Sequence, residues 1–507
     1  MLSITYCAAV YGIDAKTVKV EIDINNGLPG MEMVGMLSGE VRESKERVKI
    51  AMKNSGFEFP NRKITVNLSP ADLRKNGTQY DLAIAAGILC CMGAFKEDRI
   101  GDIAVFGELA FNGDVCGVKG ILSCVIAAKE DGLKKVMVPA DNYNEAALIS
   151  DITIIPVKDM LQAFDYFTKG RVYKPEISEK TEDEDGFSAE KLDFSDVKGQ
   201  FLAKRAAEIC AAGMHNLLMA GPPGAGKTMI ARRIPTIMPP LTYSEQIELT
   251  RIYSVAGKLS SKGLIKERPF RDPHHSISKG GLIGGGNYPM PGEISFAHHG
   301  ILFMDEFSEH KRELLDLMRE PIESGRIVIN RISGSIVYPA KFTLVAAMNR
   351  CPCGYFPDRS RCRCLPNEIA RYVARISQPI LDRIDLKVDM PAIKFEDFDV
   401  KTVNESSESI KKRVMRARKM QEKRYGGNGL LFNSRISGKQ AEYYCKISDA
   451  SKNRLKELFD KQEFSARSYY RILKTARTIA DLEGSEIILD KHVSEAMMFK
   501  ITNLKER

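Results

Sequence analysis

Eight consecutive residues constrain this chain more than any other stretch: Gly221, Pro222, Pro223, Gly224, Ala225, Gly226, Lys227 and Thr228. They fit the pattern G-x-x-x-x-G-K-[ST], placed directly after the apolar run 216–220 and at the start of a helical pattern. Glycines in such a loop let successive N–H groups turn inward around phosphate oxygens, and the helix start adds a positive dipole end. Residues 221–228 and the neighbouring Met229 are therefore expected to hold a nucleotide. Lys227 is expected to reach the β- and γ-phosphates, and Thr228 to ligate Mg²⁺. A second apolar run, 301–304, ends in Asp305 and Glu306. In that context Asp305 is placed to hold Mg²⁺ and Glu306 to polarise an attacking water. A third run covers 342–347. Continuous apolar strands of this kind belong to a parallel sheet covered on both faces.

The rest of the 507 residues divides around this core. Hydrophobic content of 44% and charged content of 28% exclude a disordered chain, a collagen-like fibre and a small disulfide scaffold. No run approaches the roughly 18 apolar residues of a membrane helix. The N-terminus lacks a basic segment followed by an apolar block, so no membrane association and a cytoplasmic location are expected. Charge is uneven. Nine acidic residues and two lysines lie between Glu176 and Asp196, and eight Lys/Arg with one Glu lie between Lys411 and Arg424. The acidic stretch reads as a linker over 171–196. The basic one is either a solvated helix face or a phosphate-facing surface. Residues 1–170 alternate strands (17–24, 63–68) with helices (41–54, 81–92), giving an α/β or α+β domain. Residues 197–395 form the α/β nucleotide domain. Beyond 396 the pattern is helical, with helices expected over 451–458 and 466–482, and reads as a separate lid.

Seven cysteines are scattered and several read as small core residues. The other four, Cys351, Cys353, Cys362 and Cys364, could wrap one tetrahedral structural Zn²⁺; free thiols or redox disulfides are the alternative. The pairs His274-His275 and His298-His299 read as loop hydrogen bonding or nucleic-acid contacts before a second metal site.

The phosphate loop, Asp305-Glu306 and the strand end Ala347-Met348-Asn349 resemble an AAA+ ATPase module. Arg268-Pro269-Phe270-Arg271-Asp272-Pro273-His274-His275-Ser276, Gly284-Gly285-Gly286, Pro291-Gly292-Glu293-Ile294 and Ala297-His298-His299-Gly300 resemble the magnesium-chelatase-like AAA+ family, and the whole chain resembles its bacterial competence-protein branch. That resemblance implies a P-loop ATPase core with a helical lid, using ATP and Mg²⁺. It further implies a homo-oligomer, a hexameric ring, acting as a DNA helicase in branch migration during recombination or natural transformation. It makes Asn349 the sensor that orients the lytic water. It makes Arg383, in Leu381-Asp382-Arg383-Ile384-Asp385, an arginine finger reaching a neighbour's γ-phosphate, or else the partner of Asp382 or Asp385. Arg467 becomes the second sensor on the nucleotide phosphates, or else a solvent-facing helix residue. The segment 326–338 reads as a hairpin turning at Ser333-Gly334. Arg331 on it and Lys279 within 276–287 are candidates to track single-stranded or branched DNA, unless these are merely structural hairpins. Residues 1–170 resemble the Lon-protease C-terminal domain, a ribosomal S5 domain 2-type α+β fold. Gln79 stands where that family carries its nucleophile and Leu122 where it carries its lysine, with Lys119 close by, so a non-catalytic role is expected. Two alternatives remain: a remodelling ATPase of the magnesium-chelatase type acting on a protein partner, and an active peptidase.

Overall fold

The computed structural model describes residues 2–174, 192–259, 263–286, 288–331, 334–393, 404–426, 432–462 and 465–500. Most of the acidic stretch therefore lies outside the described residues, as do Ser333 and Asn287. Two sheets organise the chain. The first has seven strands in the order Gly30–Val34, Lys63–Ser69, Asp14–Asn25, Leu2–Tyr11, Ile103–Val105, Lys135–Pro139, Thr153–Val157. Its centre is an antiparallel hairpin pairing Leu2 with Asp23 and Tyr11 with Asp14; the last three strands run parallel. Alternation drives it: Val18, Val20 and Ile22 are fully buried while the residues between them reach the surface. The expected strands and helices are present as Asp14–Asn25, Lys63–Ser69, Gly39–Asn54 and Asp81–Cys91.

The second sheet has five parallel strands in the order Phe270–Arg271, Ile301–Met304, Thr343–Met348, Leu217–Ala220, Leu386–Asp389. Alternate residues of each inner strand feed two cores. Leu217, Met219, Phe303 and Val345 pack with the helices Phe201–Gly213 and Lys227–Ile237. Leu218, Leu302, Met304 and Leu344 pack on the other face with Leu282, Ile294 and Leu315. This two-sided burial is why these strands read as unbroken apolar runs.

Two sequence expectations need correcting. Residues 192–196 are not solvated linker: Phe194 is fully buried, Asp193 accepts the Ser407 N–H at 3.1 Å, and Asp196 pairs with Arg233 at 2.8 Å. The apolar Phe194 outweighs its acidic surroundings. Nor are the C-terminal helices a body apart. Ile472, Ala476 and Ile479 of Ala466–Leu482 share one core with Ile209 and Ala212 of Phe201–Gly213. The basic helix Ser407–Arg424 is divided in the same way. Arg413 and Arg424 turn inward to Glu208 and Asp481, leaving Lys411, Lys412, Arg416, Lys419 and Lys423 exposed.

The first sheet's unit docks on the helix Tyr243–Val255. Arg251 donates to Ile13 O (2.9 Å), Tyr243 Oη to Leu148 O (2.7 Å), and Ser254 Oγ to the buried Glu145. Tyr11 Oη also donates to Ser335 O (2.9 Å) on the hairpin formed by Arg326–Arg331 and Gly334–Pro339. Among the described residues no helix is long and apolar enough to cross a membrane.

Candidate functional site

The phosphate loop leaves the sheet at Ala220. Gly221 donates its N–H to Met348 O (3.2 Å), and a β-carbon there would stand 2.4 Å from Met390 O, so only glycine fits. The loop ends at Gly226, whose φ of 87° favours glycine and which starts the helix Lys227–Ile237 without a side-chain cap. The first helical N–H groups thus face the loop with no side-chain acceptor, which suits an anion. Lys227 Nζ donates to Gly221 O (2.7 Å), Pro222 O (2.9 Å) and Asn349 Oδ1 (3.0 Å). Burial lowers the pKa of its ammonium, opposed by the Asp305 charge. Thr228 Oγ1 donates to Asp305 Oδ2 (2.9 Å). A hydroxyl and a carboxylate meeting in this way are the hard oxygen donors Mg²⁺ takes. Glu306 donates its N–H to Asp305 Oδ1 (2.8 Å), has a left-handed φ of 47°, and presents Oε2 3.0 Å from His275 Nδ1. These groups line one cleft of about 720 Å³.

Asp272 and His275 also line that cleft, and sequence reasoning gave them no role there. The signals for them were the family-like stretch 268–276 and their position just after Phe270–Arg271, the strand beside Ile301–Met304. Asp272 faces Arg232 (3.5 Å), and burial raises its pKa.

Arg383 and Arg467 are not in this cleft. They sit together in a second one, of about 540 Å³. Arg383 O accepts from Asn216 Nδ2 (2.9 Å), and Asn216 immediately precedes Leu217–Ala220, whereas the phosphate loop immediately follows it. The two clefts thus lie at opposite ends of one strand, roughly 13 Å apart for four residues. Arg383 pairs with neither Asp382 nor Asp385. Its Nη2 meets Glu323 Oε2 (2.8 Å), and Arg467 Nη2 meets Glu323 Oε1 (3.0 Å). Nothing in the sequence marked Glu323.

The four clustered cysteines converge. Sγ–Sγ distances are 3.3 Å (Cys351–Cys353), 3.6 Å (Cys353–Cys362) and 3.8 Å (Cys351–Cys362), and all four sulfurs lie within 4.8 Å of one another. A tetrahedron with Zn–S near 2.3 Å has edges of about 3.8 Å, so the donor set fits zinc. The Phe356 N–H donates to Cys351 Sγ at 3.4 Å, a supporting contact of the kind metal thiolates use. This loop also touches the first cleft: Gly354 lies against Pro223, and a β-carbon at 354 would stand 2.6 Å from its Cδ.

Glu248, His298 and His299 form a second compact group, with His299 Nε2 2.8 Å and His298 Nε2 3.3 Å from Glu248 Oε2. The Lys341 N–H donates to His298 Nδ1 at 2.9 Å. A neutral imidazole has one lone-pair nitrogen, so Nε2 carries the proton and cannot ligate a metal. The group is a carboxylate–imidazole network, in line with the hydrogen-bonding reading. His274 likewise bonds Ser276 Oγ (2.8 Å).

Arg331 and Lys279 fall on neighbouring elements. A β-carbon on Gly285 would stand 3.5 Å from Arg331 Nη2, and the exposed Lys279 opens the short helix Lys279–Ile283 just before it. In the first unit, buried Gln79 donates to Ala8 O (3.2 Å) and Asn76 O (3.1 Å), Leu122 is fully buried, and Lys119 packs along Gly257.

Three family models of magnesium chelatase subunit ChlI match the chain: one over residues 20–142, one over 193–398, and one of the subunit's C-terminal part over 404–500. The protein YifB of Escherichia coli is 41% identical over 502 residues, covering 98% of this chain and 97% of its own. Competence protein ComM of Haemophilus influenzae is 38% identical over 502 residues, with the same coverage. Lon protease 2 of Bacillus subtilis is 28% identical over 176 residues, 31% of each chain. Full-length identity of this order, with all three family models matched in sequence order, means that the chain belongs to the magnesium-chelatase-like AAA+ family, in its ComM/YifB branch.

Proposed function

We propose that this chain is an ATP-driven, ring-forming motor that moves along single-stranded or branched DNA, acting in the cytoplasm in homologous recombination or natural transformation. The observation that carries the reading is the split between the two clefts. Lys227, Thr228, Asp305, Glu306 and Asn349 gather at one end of a strand, and Arg383 with Arg467 at the other. Arginines so placed cannot reach their own phosphate loop. In a head-to-tail ring each copy would supply them to its neighbour.

In this reading the loop N–H groups and Lys227 hold the phosphates. Mg²⁺ held by Thr228 and Asp305 would neutralise charge on the β- and γ-phosphates. Glu306 polarises the attacking water, Asn349 orients it, and Arg383 of the next copy stabilises the transferred charge. The four cysteines hold a structural Zn²⁺ that braces the segment after Asn349. Residues 1–170 form a non-catalytic Lon-like domain, 197–395 the ATPase module and 396–507 a helical region attached to it. DNA is favoured by the adjoining Arg331 and Lys279 elements and by the name of the competence-protein relative.

The test is the ATPase rate with and without single-stranded, duplex and four-way-junction DNA at two salt concentrations. Salt-sensitive stimulation is expected. No stimulation by any DNA would overturn the DNA motor in favour of the alternative, a remodelling ATPase of the magnesium-chelatase type acting on a protein partner.

A further inference from the structure

Among the described residues, the second cleft holds Arg383, Arg435, Arg467, Arg471 and Lys474 against two acids, Glu323 and Asp385. Asp385 is already engaged by His215 Nδ1 (3.3 Å) and by Arg471 of the same cleft (3.6 Å). One carboxylate, Glu323, is therefore shared by the two arginines that the proposed function assigns to the neighbour's nucleotide. Its two oxygens each take one guanidinium.

Arg383 is folded back into its own subunit. It is 8% exposed, its Nη1 donates to Pro379 O (2.7 Å), its Nη2 is held by Glu323, and its Nε is buried without a hydrogen-bond partner. An arginine in that position cannot reach across a subunit boundary until it leaves the carboxylate. Arg467 is exposed and tethered by the same group. The excess of cations and the unpartnered Nε point to a second, stronger anion as the alternative occupant.

We infer that Glu323 is a restraining carboxylate: it occupies, within one subunit, the place that the terminal phosphate of a neighbour's ATP takes in the assembled ring. This rests on the proposed trans role of Arg383 and Arg467. Exchange of a carboxylate for a more highly charged phosphate links ATP loading by one copy to docking of the next. While Glu323 holds both arginines, the docking-competent fraction is small, and apparent affinity between copies is reduced by that fraction.

The experiment uses the full chain with Mg·ATP, comparing the parent with Glu323→Gln, Arg383→Ala and Arg467→Ala. Mass photometry gives the protein concentration for half-assembly, and ATPase rate per subunit is followed over the same concentrations. Glu323→Gln keeps the side chain's size, and its half-exposed site makes unfolding no concern; Glu323→Asp keeps the charge with a shorter reach. The inference expects Glu323→Gln to assemble at a concentration lower by about tenfold, the inverse of a one-in-ten competent fraction, with Glu323→Asp in between. A purely structural lesion would not produce that gain. If Arg383→Ala loses ATPase but Glu323→Gln assembles at the parent concentration or higher, the restraint is refuted while the trans arginines stand. If Arg383→Ala keeps parent ATPase, the trans reading fails and the restraint falls with it.

Discussion

Replacing Gly354 by alanine would report whether the cysteine loop bears on the nucleotide cleft. Gly354 has φ of 85°, so any side chain there carries a left-handed penalty of about 1–2 kcal/mol. The new β-carbon would also stand 2.6 Å from Pro223 Cδ and 2.8 Å from its Cγ. Carbon atoms in contact sit near 3.5–4.0 Å, so loop or ring must give by roughly 1 Å. Pro223 is a ring within the phosphate loop and has no flexible end to fold away. In the proposed phosphate-binding role of that loop, a displacement of that size costs up to about a hundredfold in kcat/KM. Gly426→Ala is the control: its φ is 79°, and no atom of the described residues lies within 4 Å of a β-carbon there. It should show the left-handed backbone penalty alone in urea unfolding and keep full ATPase. Steady-state ATPase, binding of a fluorescent ATP analogue and zinc content should be measured on both. Gly354→Ala with kcat/KM within twofold of the parent, at unchanged zinc content, would refute a bearing of the cysteine loop on the cleft.

Glu306→Gln should bind ATP and slow its hydrolysis by about 10²–10⁴; full turnover would remove Glu306 from the base role. Elemental analysis should find one Zn²⁺ per chain, reduced in Cys362→Ser but not in Cys210→Ser, since Cys210 is buried apart from the cluster. A metal-free parent of undiminished thermal stability would count against the zinc site. Burial pushes His298 down to about 4 from 6.5. The unfolded chain therefore takes up a proton over that window and the folded one does not, so stability is complete above about pH 6.5 and falls as pH drops towards 4. For Glu248, burial is outweighed by the adjacent His298 and His299 imidazoles, which hold its carboxyl well below the usual range, so a further loss follows below about pH 4.5. Urea midpoints between pH 7 and 4.5 should show the slope, and His298→Asn should flatten its upper part; an unchanged slope would identify another group.

What could be read in advance was local. The phosphate loop, the acid pair at 305–306 and the cysteine spacing are short contiguous patterns whose chemistry dictates their residues, and the structure gathers each of them. Fully buried strands announced themselves because both faces demand apolar side chains. What stayed hidden depends on chain segments distant in sequence. Glu323 meets Arg383 and Arg467 only because a helix end, the run before the last strand and a C-terminal helix converge. His275 acquires its place from sheet order. Phe194 escaped notice because one aromatic residue among acids is a weak signal until its pocket is known. Arg467 was assigned to the nucleotide by motif alone, and its actual neighbourhood shows which end of the sheet the C-terminal helices approach.

The hydrogen bond from Tyr11 to Ser335 gives the hairpin a bearing on its flank. Gly12 adds to the fit, since a β-carbon there would stand 2.9 Å from Ile336 Cγ2. A ribbon supported in this way is a lever with a fulcrum: any displacement of its far end is resisted or transmitted by the N-terminal sheet. Trimming the chain to its ATPase module would take away the fulcrum with the sheet. The ribbon of the remainder would then differ in reach and stiffness from that of the whole chain.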